Sequence, residues 1–595
     1  MADLYNVVDS TIINYLKYIP EVDPILKVEL MDYLETPFAE ITQHLSKDNA
    51  GSIENNYQQG VRRTCSITLI NPNHQFNPSF NRGIWLHTKF KVYIGFNIGE
   101  NSYWYSQGIY ILTNPSILNE FSNKTITLNG IDKFGILGSE TSFHELNGTY
   151  KIPAGTTVKK AIKDLLKMPI GNTGGKLYTC TISGTEYWAG ANSSPTGGYF
   201  LTGQFGLIPS AIKQVTITRT GIVPTDYIVP TDYYEYNNGT SSFWFSSPVG
   251  GTYYIQDSDQ ITIVAYGGYP LDPKIPIIDN RTIEYYDAVE FLGQDEVMWN
   301  SGKSYTLKYS DDTFIPIVAY SASQPLYKVY VNRQEIPYST TEGIVPRYNY
   351  NPNTHGLWID MGQAQLTATD TVSIIAKMRG SIGDIKLPYD IVKSPNEFYA
   401  DLLIEIATVC ACDIYYDANG YLNFVKGNEK QEMDNLPTVW EFSDKSNYYF
   451  NASLDMDFTN MFNVIKVVGT NESAKDVCEK TVKNTQLNSP MCVQILGEKV
   501  KYVESSFCYN QPRTEDFANY LLRKYSRLQE TLGFGTILLP FIDVNQVVQI
   551  TDEYFELESA RFIVQSTSLP LTTDSTMQIT SSNTANIPYF EAQGG

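Results

Sequence analysis

Apolar and polar residues alternate over most of the first 140 residues, which is the pattern of half-buried β-strands. Between about residues 28 and 137 the strand-like stretches are aromatic and β-branched, and Asn, Pro or Gly bounds each of them. The clearest four are VRRTCSITLINP (61–72), HTKFKVYIGF (87–96), SYWYSQGIYILTNP (102–115) and KTITLNGIDK (124–133). Because no helical stretch separates them, the pattern predicts an antiparallel sandwich or barrel.

Three later stretches have the period of a helix, with apolar residues three or four positions apart. The apolar stripes are Val158, Ile162, Leu165 and Leu166 in the first, Phe398, Leu402, Ile406 and Val409 in the second, and Phe517, Leu521, Leu528 and the Tyr520/Tyr525 pair in the third. Thr156 and Thr157 offer an N-cap to the first helix. The second helix leads into DIYYDANGYLNFV (413–425), where Asn419-Gly420 predicts a tight hairpin.

The N-terminus has a rough helical face and none of the features of a targeting segment. Its apolar positions are Val7, Ile12, Ile13, Leu16 and Ile19. They predict a short amphipathic helix or arm over residues 1–19. The basic start and apolar core of a signal peptide are missing, and no apolar run approaches the ~20 residues that cross a bilayer. We therefore expect a soluble protein made in the cytosol.

An internal repeat lies between the first and second predicted helices. The spacings that recur are 29 residues in Val215–Trp244 and Val329–Trp358, and eight residues in Tyr236–Trp244 and Tyr350–Trp358. GIVP also occurs twice, at 221–224 and 343–346, but at a different offset. The spacings predict two related β-modules of roughly 60 residues, inserted into a helix-containing domain. Such insertions decorate a surface and often contact partners.

Length and composition favour several β-rich domains that assemble. A chain of 595 residues predicts roughly three to five domains, and 42% hydrophobic with 18% charged residues is an ordinary folded composition. The 44 Tyr residues stand out, because Tyr suits both pleated surfaces and interfaces. The net charge of −21 disfavours nucleic-acid binding, and no basic run exceeds two residues, as at Arg62-Arg63.

The cysteines predict free thiols in a reducing compartment. They are odd in number and dilute, and they show no CxxC spacing. The seven are Cys65, Cys180, Cys410, Cys412, Cys478, Cys492 and Cys508. The Cys410/Cys412 pair is a weak metal signal, and buried apolar cysteines explain it better.

We predict no catalytic residues, no cofactor and no metal. The five histidines form no ligand pair, and nucleotide-binding and hydrolase motifs do not occur. The adjacent carboxylates are read as solvated turn residues and not as a glycosidase pair. They are Asp311-Asp312, Asp552-Glu553 and Glu556/Glu558. Asp417, Asn419 and Gly420 resemble the start of a calcium loop, but its closing glutamate is missing, so a hairpin explains them better.

Aromatic clusters leave one alternative open. YWY (103–105), YY (233–234) and FWF (243–245) offer rings that can stack on sugars. Alternating aromatic residues on strands more often belong to a core or an interface. Sugar binding is therefore the minority interpretation of these clusters.

Four stretches of the chain resemble the hub family of tailed phages, which includes the T4-like baseplate hub and the tail-associated proteins of long-tailed phages. They follow one another in the order that the family has, and together they cover about half of the chain. The stretches are LNGIDKFGILGSE (128–140) with the following YKIPAGTTVKKAIKDLLKM, GYPLDPKIPIID (268–279), the helix and hairpin of 396–425, and IDVNQVVQITDEYFELESARFIVQSTSLPLTTDSTMQITSSN (542–583).

The resemblance implies a mainly β, multi-domain fold with minor α content. It has two tube-type β-barrels and an α+β middle domain that carries the inserted modules. The implied segments are an arm (1–19), barrel 1 (20–140), a middle domain (141–174, 269–294 and 381–440), module 1 (175–268), module 2 (295–380), and barrel 2 (441–595) with a helix at 513–530.

The resemblance also implies a function, that of a structural virion protein and not an enzyme. Three chains would supply six barrels, joining a sixfold tail tube or distal tail protein above to a threefold tip, spike or lysin protein below. Genome DNA would pass through the ring without specific binding, and a tape measure protein could occupy the lumen. Assembly would take place in the host cytoplasm.

Two other hypotheses remain at this stage. A receptor- or carbohydrate-binding tail-tip protein would use the aromatic modules. A wall-degrading tail enzyme usually carries its lytic domain after the hub portion, and here the chain stops about ten residues after the hub-like ending.

Overall fold

The structure is a computed structural model. It describes residue 16 and residues 24–583, except for short gaps. The gaps are 33–34, 48–49, 58–59, 79–83, 85–87, 121–123, 139–145, 147–148, 167–175, 194–198, 201–208, 220–224, 231–232, 238–241, 246–250, 268–271, 282, 293–304, 308–314, 320, 322–323, 333, 342, 363–365, 367–368, 396, 427–435, 447, 471–477, 506, 510 and 573–575. Of the predicted N-terminal helix, only Leu16 lies within the described residues, where it is helical and buried.

The largest sheet has 14 strands drawn from both ends of the chain. From the first 132 residues come β1 (Pro24–Met31), β2 (Pro37–Glu40), β3 (Gly51–Asn56), β4 (Arg63–Ile70), β5 (Lys89–Ile98), β6 (Asn101–Leu112), β7 (Ser116–Asn119) and β8 (Lys124–Asp132). From the last 160 residues come β29 (Thr438–Ser443), β30 (Phe450–Asp457), β34 (Gln529–Thr536), β35 (Val547–Asp552), β36 (Leu557–Pro570) and β37 (Met577–Ser582). The four strands predicted between residues 61 and 133 are confirmed as β4, β5, β6 and β8.

The two ends of the chain meet where β3 pairs with β36. The pairing is antiparallel and joins Ser52–Asn56 to Ser566–Pro570. The main path of the sheet runs β2-β1-β5-β6-β8-β4-β3-β36-β37-β34-β30, so the two predicted barrel segments share one sheet. One apolar core, which includes Ile53 and Leu569, underlies both halves. The mainly β fold is confirmed. No sheet within the described residues closes on itself, so the two barrels stay a prediction.

The two inserted modules have the same strand pairing. Module 1 has β10 (Lys176–Ser183), β11 (Tyr199–Phe200), β12 (Pro209–Arg219), β13 (Thr225–Ile228), β14 (Tyr234–Asn237), β15 (Ser242–Phe245) and β16 (Gln260–Gly267). Module 2 has β18 (Ile283–Leu292), β19 (Tyr305–Thr306), β21 (Lys328–Val331), β22 (Gln334–Ile336), β23 (Arg347–Asn351), β24 (Gly356–Asp360) and β25 (Thr371–Gly380), with β20 (Ile317–Val318) added beside β25. The order β10-β16-β12-β13 corresponds to β18-β25-β21-β22, and β11-β15-β14 corresponds to β19-β24-β23.

The repeated spacings arise from one shared register. Tyr236 lies opposite Phe243, one residue before Trp244. Tyr350 lies opposite Leu357, one residue before Trp358. The second module also takes in β18, which was predicted to belong to the middle domain, because β18 pairs along its whole length with β25.

Three small sheets complete the strands. They are β17 (Ile277–Ile278) with β27 (Cys412–Tyr416) and β28 (Leu422–Lys426), β9 (Tyr150–Ile152) with β26 (Ile391–Lys393), and β31 (Val464–Gly469) with β32 (Glu479–Lys483) and β33 (Val500–Ser505). The antiparallel pair β27 and β28 confirms the predicted hairpin around Asn419-Gly420, and Gly420 has the positive φ of +76° that its turn requires.

Six α-helices lie in the described part of the chain. They are α1 (Phe134–Leu137), α2 (Val158–Leu166), α3 (Gly184–Ser193), α4 (Tyr399–Cys410), α5 (Val493–Leu496) and α6 (Gln511–Tyr525), and short 3-10 helices occupy Thr42–His44 and Ile382–Asp384. The stripe predicted for α2 is fully buried, and Thr157 Oγ1 accepts a hydrogen bond from the Lys160 N–H as an N-cap does.

The helix predicted over 513–530 is shorter than expected. It ends at Tyr525, because Gln529 and the residues after it pair with β30. Phe517 and Leu521 face the core as predicted, and Leu528 lies beyond the helix. Within the described residues no helix is both long enough and apolar enough to span a membrane.

Candidate functional site

The hairpin of β27 and β28 is clamped into the first half of the large sheet. The Ser106 hydroxyl donates to the Ala418 carbonyl oxygen at 2.6 Å, and Lys133 Nζ donates to the Gly420 carbonyl oxygen at 2.8 Å. A methyl group added at Gly420 would lie 2.6 Å from Ile109 Cδ1. The hairpin tip therefore sits directly on β6, and this contact fixes the middle of the chain against the sheet.

An arginine–aspartate pair forms the centre of this junction. Arg62 donates two hydrogen bonds to the carboxylate of Asp413, one of them at 3.1 Å. The guanidinium also lies over the rings of Tyr57 and Tyr415, at 4.4 and 4.7 Å from their centroids. The two charged side chains are 1% and 0% exposed. Bidentate geometry and contacts with two aromatic rings are the arrangement in which a buried pair offsets its desolvation.

The neighbouring arginine joins three distant parts of the chain. Arg63 donates to the carboxylate of Asp543 near the end of the chain, to the Gln107 carbonyl oxygen at 3.2 Å, and to the Tyr416 carbonyl oxygen at 3.5 Å. The backbone N–H groups of Arg62 and Arg63 both donate to Asp132. A side chain bonded to all three segments resists any rotation of one against another.

A second buried cluster gathers three lysines around one glutamate. Glu35 accepts from Lys89 at 2.9 Å and lies 2.7 Å from Lys133 and 3.2 Å from Lys274. Lys133 also contacts Asp272 at 2.7 Å. Burial by itself raises the pKa of Glu35, but attraction and hydrogen bonds from Lys133 and Lys89 outweigh it and lower the pKa to about 2. Glu35 is therefore ionised in the folded chain.

We expect this cluster to make the fold sensitive to acid. The pKa of Glu35 is lowered from 4.5 to about 2, so its charge stabilises the folded chain fully above pH 4.5. The contribution, about 3 kcal/mol, is lost as the pH falls from 4.5 to 2. The measurement is the free energy of unfolding of the wild type and of Glu35→Gln across that range. The difference between the two should be largest near neutral pH and should shrink below pH 4.5; a constant difference would contradict the assignment.

The pKa of Asp132 is shifted in the opposite direction to that of Glu35. The pH dependence of the wild type alone would therefore mix the two effects, and the comparison with Glu35→Gln separates them. Burial raises the pKa of Asp132 to about 6, although the N–H groups of Arg63, Phe134 and Arg62 lower it. A raised carboxyl pKa makes the folded chain more stable as the pH falls from 6 towards 3.8. This contribution is common to both proteins and cancels in their difference.

The junction has the properties of a structural coupling and not of a reaction site. Its charged side chains, apart from those of Asp543 and Lys274, are between 0% and 3% exposed, so a ligand has no access to them. Within the described residues no group of His, Cys, Asp and Glu side chains could hold a metal ion. What the arrangement can do is hold the two halves of the large sheet and the β27–β28 hairpin in one fixed relation.

The cysteines, histidines and carboxylates that the sequence offered as candidate functional residues do not come together in one site within the described residues. All seven cysteines are buried free thiols. His44 lies against Phe76 and His355 against Tyr350, and the two are far apart in sequence. Asp417 Oδ1 accepts from the N–H groups of Asn419 and Tyr421, as a turn residue does. Asp311 and Asp312 lie outside the described residues.

The predicted aromatic clusters do not form open platforms. Tyr103 and Tyr105 pack against the core of the large sheet, which leaves Trp104 outside. Phe243 is fully buried, and Phe245 lies 5.3 Å from Tyr187, between ring centroids. The tyrosine pair at 233–234 is also divided, since only its second member belongs to the module core. Most of these rings therefore belong to the apolar core of module 1 or to that of the large sheet.

Sequence reasoning missed the ion pairs. Arg62-Arg63 was noted only as a short basic run, and the Asp132-Lys133 pair only as part of a family motif. The available signal was their position: two charged dipeptides stand where strands β4 and β8 begin and end, inside otherwise apolar stretches. Charged residues there need buried partners, but the partners Asp413 and Asp543 lie hundreds of residues away.

The chain is similar to several solved structures at low sequence identity. No protein-family model matches the chain, and no curated protein matches it. Among solved structures, the tail protein from Neisseria meningitidis is 9% identical with a TM-score of 0.40, and the match covers 95% of this chain and 99% of that one. The 43 kDa tail protein of prophage MuSo2 from Shewanella oneidensis is 9% identical with a TM-score of 0.38, covering 95% and 99%. The prophage tail protein gp18 from Listeria monocytogenes is 9% identical with a TM-score of 0.35, covering 95% and 98%.

All three of these proteins are tail proteins. With TM-scores below 0.5, the likeness carries no assignment of function for this chain.

Proposed function

We propose that this chain is a structural tail protein, the hub that joins the sixfold tail tube to a threefold tip or spike. The observation that carries the proposal is the β3–β36 pairing, which unites the two ends of the chain in one 14-stranded sheet. A hub needs two β-domains per chain held at a fixed angle, so that three chains offer six equivalent positions. Shared strand pairing and the buried junction supply that fixed angle.

The other parts of the proposal follow from this arrangement. The two halves of the large sheet are proposed as tube-type barrels in a trimeric ring that forms part of the genome-ejection channel. Symmetric closure keeps the assembly finite and covers the open edges of the sheet. The tail tube or distal tail protein would bind above, and the tip, spike or lysin protein below, with the tape measure protein in the lumen. The net charge of −21 suits a wall that DNA passes without binding.

We expect the purified protein to form a trimer with a central hole. Native mass spectrometry of the full chain should show three copies, and negative-stain images should show a threefold ring. The physical reason is that open strands and exposed apolar side chains at the sheet ends lose contact with water only in an assembly. A protein that stays monomeric, both alone and with tube protein, would exclude the hub function.

The carbohydrate-binding alternative has less support. A sugar site needs aromatic faces open to solvent beside polar groups, whereas the rings of the inserted module mostly pack on one another, as Tyr187 does on Phe243 and Phe245. A lytic activity has no specific support either, since the Asp552 carboxylate is buried and accepts a hydrogen bond from the Tyr449 hydroxyl at 2.9 Å.

A further inference from the structure

Two surfaces of the C-terminal region expose large side chains on rigid turns. The first, which we call the tip, is the turn between β35 and β36. Tyr554 there is 88% exposed, and the exposed Glu553, Glu556 and Glu558 surround it in sequence. These are the carboxylates that sequence reasoning assigned to solvated turns, and the proposed function leaves them without a role.

The tip is held in one conformation. Asp552 Oδ1 accepts from the N–H groups of Tyr554 and Phe555 at 2.9 and 3.2 Å, and the Tyr554 and Phe555 rings meet edge to face at 5.4 Å. The Glu553 N–H donates to Asp444 Oδ2 at 3.0 Å. A protruding aromatic side chain on a fixed turn loses little conformational entropy on binding, which is the property of an interface anchor.

The second surface, which we call the α5 patch, lies around helix α5 and strand β33. Its six members are apolar or aromatic side chains that are between 52% and 73% exposed. They are Phe458, Leu487, Ile495, Leu496, Val500 and Tyr502. A monomeric protein rarely exposes so many large apolar side chains in one region, and such patches commonly bind partners.

Hydrogen bonds around one buried asparagine hold the α5 patch together. Asn463 donates to the Gly497 carbonyl oxygen and accepts from the Lys499 N–H, both at 2.7 Å. Asn484 then donates its N–H to the Asn463 carbonyl oxygen at 2.9 Å and accepts from the Val493 N–H at 3.0 Å. The segments that carry Leu487, Ile495 and Val500 are thus all hydrogen-bonded, directly or through Asn484, to Asn463, which fixes their conformation before any partner binds.

The two surfaces have complementary charge. Residues 458–528, which contain the patch and its supporting sheet and helix, have ten Lys and Arg against seven Asp and Glu, in a chain with 43 against 64. Lys499 and Lys501 flank Val500, and Lys466 lies opposite Tyr502 in the sheet. Part of this charge is paired, in Lys483 with Glu498, Lys480 with Glu515 and Lys466 with Glu479. The patch is thus bordered chiefly by Lys499 and Lys501, which match an aromatic tip with an acidic surround.

The tip and the patch cannot meet within one chain. The tip is bonded to Asp444 and to Tyr449, just before β30 begins at Phe450. The patch begins at Phe458, just after β30 ends, and Lys499 Nζ donates to the Thr459 carbonyl oxygen there. The eight residues of β30 put about 25 Å between the two strand ends at which the surfaces lie. Each surface is therefore available to another molecule.

We propose that the tip of one copy of this chain binds the α5 patch of a second copy, head to tail. Tyr554 enters the apolar surface around Leu496, and the surrounding carboxylates face the lysines. A contact between two different surfaces closes into a ring when the rotation allows it. The inference deepens the proposed hub function and rests on it for the number of copies, which is three.

Two single variants of the full chain test the contact. Tyr554→Ala removes the anchor, and Leu496→Asp places a charge in the patch; both side chains lie in solvent, so folding should be unaffected. Each should raise the dissociation constant between copies roughly 30-fold or more in native mass spectrometry, as removal of an interface anchor does. Ile228→Asp is the control, since Ile228 is equally exposed but lies on module 1. Glu558→Lys gives a second tip variant should the first fold poorly.

Mixing the two variants gives the sharper result. Each variant alone should be monomeric, but the intact patch of the tip variant can still bind the intact tip of the patch variant. The mixture should therefore form a heterodimer that cannot close into a ring. If both variants assemble like the wild type, or if the mixture forms no heterodimer, the proposed contact is wrong.

The outcomes separate this inference from the hub function. If the wild type is a trimer and both variants form the same trimer, the proposed contact is wrong and the hub function stands. A wild type that forms open chains or another number of copies through Tyr554 would support the contact and overturn the trimeric hub. A wild type that is monomeric throughout would overturn both.

Discussion

Replacing Asp413 with Ala should destabilise the protein by about 3–5 kcal/mol, because it leaves the Arg62 guanidinium buried without its carboxylate. The cost is large since the Arg62 side chain is only 1% exposed and lies against the rings of Tyr57 and Tyr415, contacts that it would lose by turning towards water. We expect the first transition in urea unfolding to move to lower denaturant. The amides of β27 and β28 should lose protection from hydrogen exchange at the same time, since the hairpin is anchored by this pair.

Two controls identify the cause of this loss. Glu335→Ala breaks the exposed pair with Lys328 and should cost less than about 1 kcal/mol. The double variant Arg62→Leu/Asp413→Leu removes both charges and should be clearly more stable than Asp413→Ala. If the double variant were as unstable as the sum of the two single ones, the pair would not be coupled and the junction would depend on packing alone.

Gly51→Ala should cost at least about 3 kcal/mol, because the backbone at Gly51 excludes any side chain. The φ of +119° is strained for other residues, and an added Cβ would lie 2.7 Å from the carbonyl carbon of Ser66, with the Ser66 oxygen nearer still. These Ser66 atoms belong to the backbone of the neighbouring strand β4, so they cannot move aside unless the strand moves with them. We expect β3 to lose its register, and the pairing with β36 to weaken with it.

Hydrogen exchange can follow that effect along the sheet. Amides of β3 and β36 should exchange faster in Gly51→Ala, whereas those of module 1 should not change. Gly99→Ala is the matched control, since Gly99 also has a positive φ of +63° but has no atom within 4 Å of an added Cβ. It should cost about 1 kcal/mol. Equal losses at both positions would mean that backbone conformation, and not the contact with Ser66, is responsible.

Local structure could be predicted where a short sequence determines it. Asn419-Gly420 predicts its hairpin because few residues other than Gly adopt positive φ, and the stripe of α2 predicts its buried face. The repeat was recognised because strand register fixes the distance from Val215 to Trp244 and from Val329 to Trp358. In each case the interacting residues are near in sequence or share a period.

Contacts between distant segments could not be predicted. Nothing near Arg62 indicates that its partner is Asp413, and nothing in β3 identifies β36 as its neighbour. Edge strands of similar composition pair equally well on local grounds, so only the assembled core selects among them. The α5 patch could not be predicted for a related reason: nothing in the sequence distinguishes Leu487 and Ile495, which the fold leaves exposed, from core residues.

The pairing of β3 with β36 has a consequence for the nascent chain on the ribosome. Glu54 and Ser568, whose side chains bond at 2.6 Å, are 514 residues apart. At ordinary rates of synthesis, roughly 25 to 100 s pass between the emergence of the two strands. During that interval one edge of β3 stays unpaired, while the segments between β8 and β36 are translated. The pairing of β3 is therefore completed only after β36 has left the ribosome, and the sheet stays open at this edge until then.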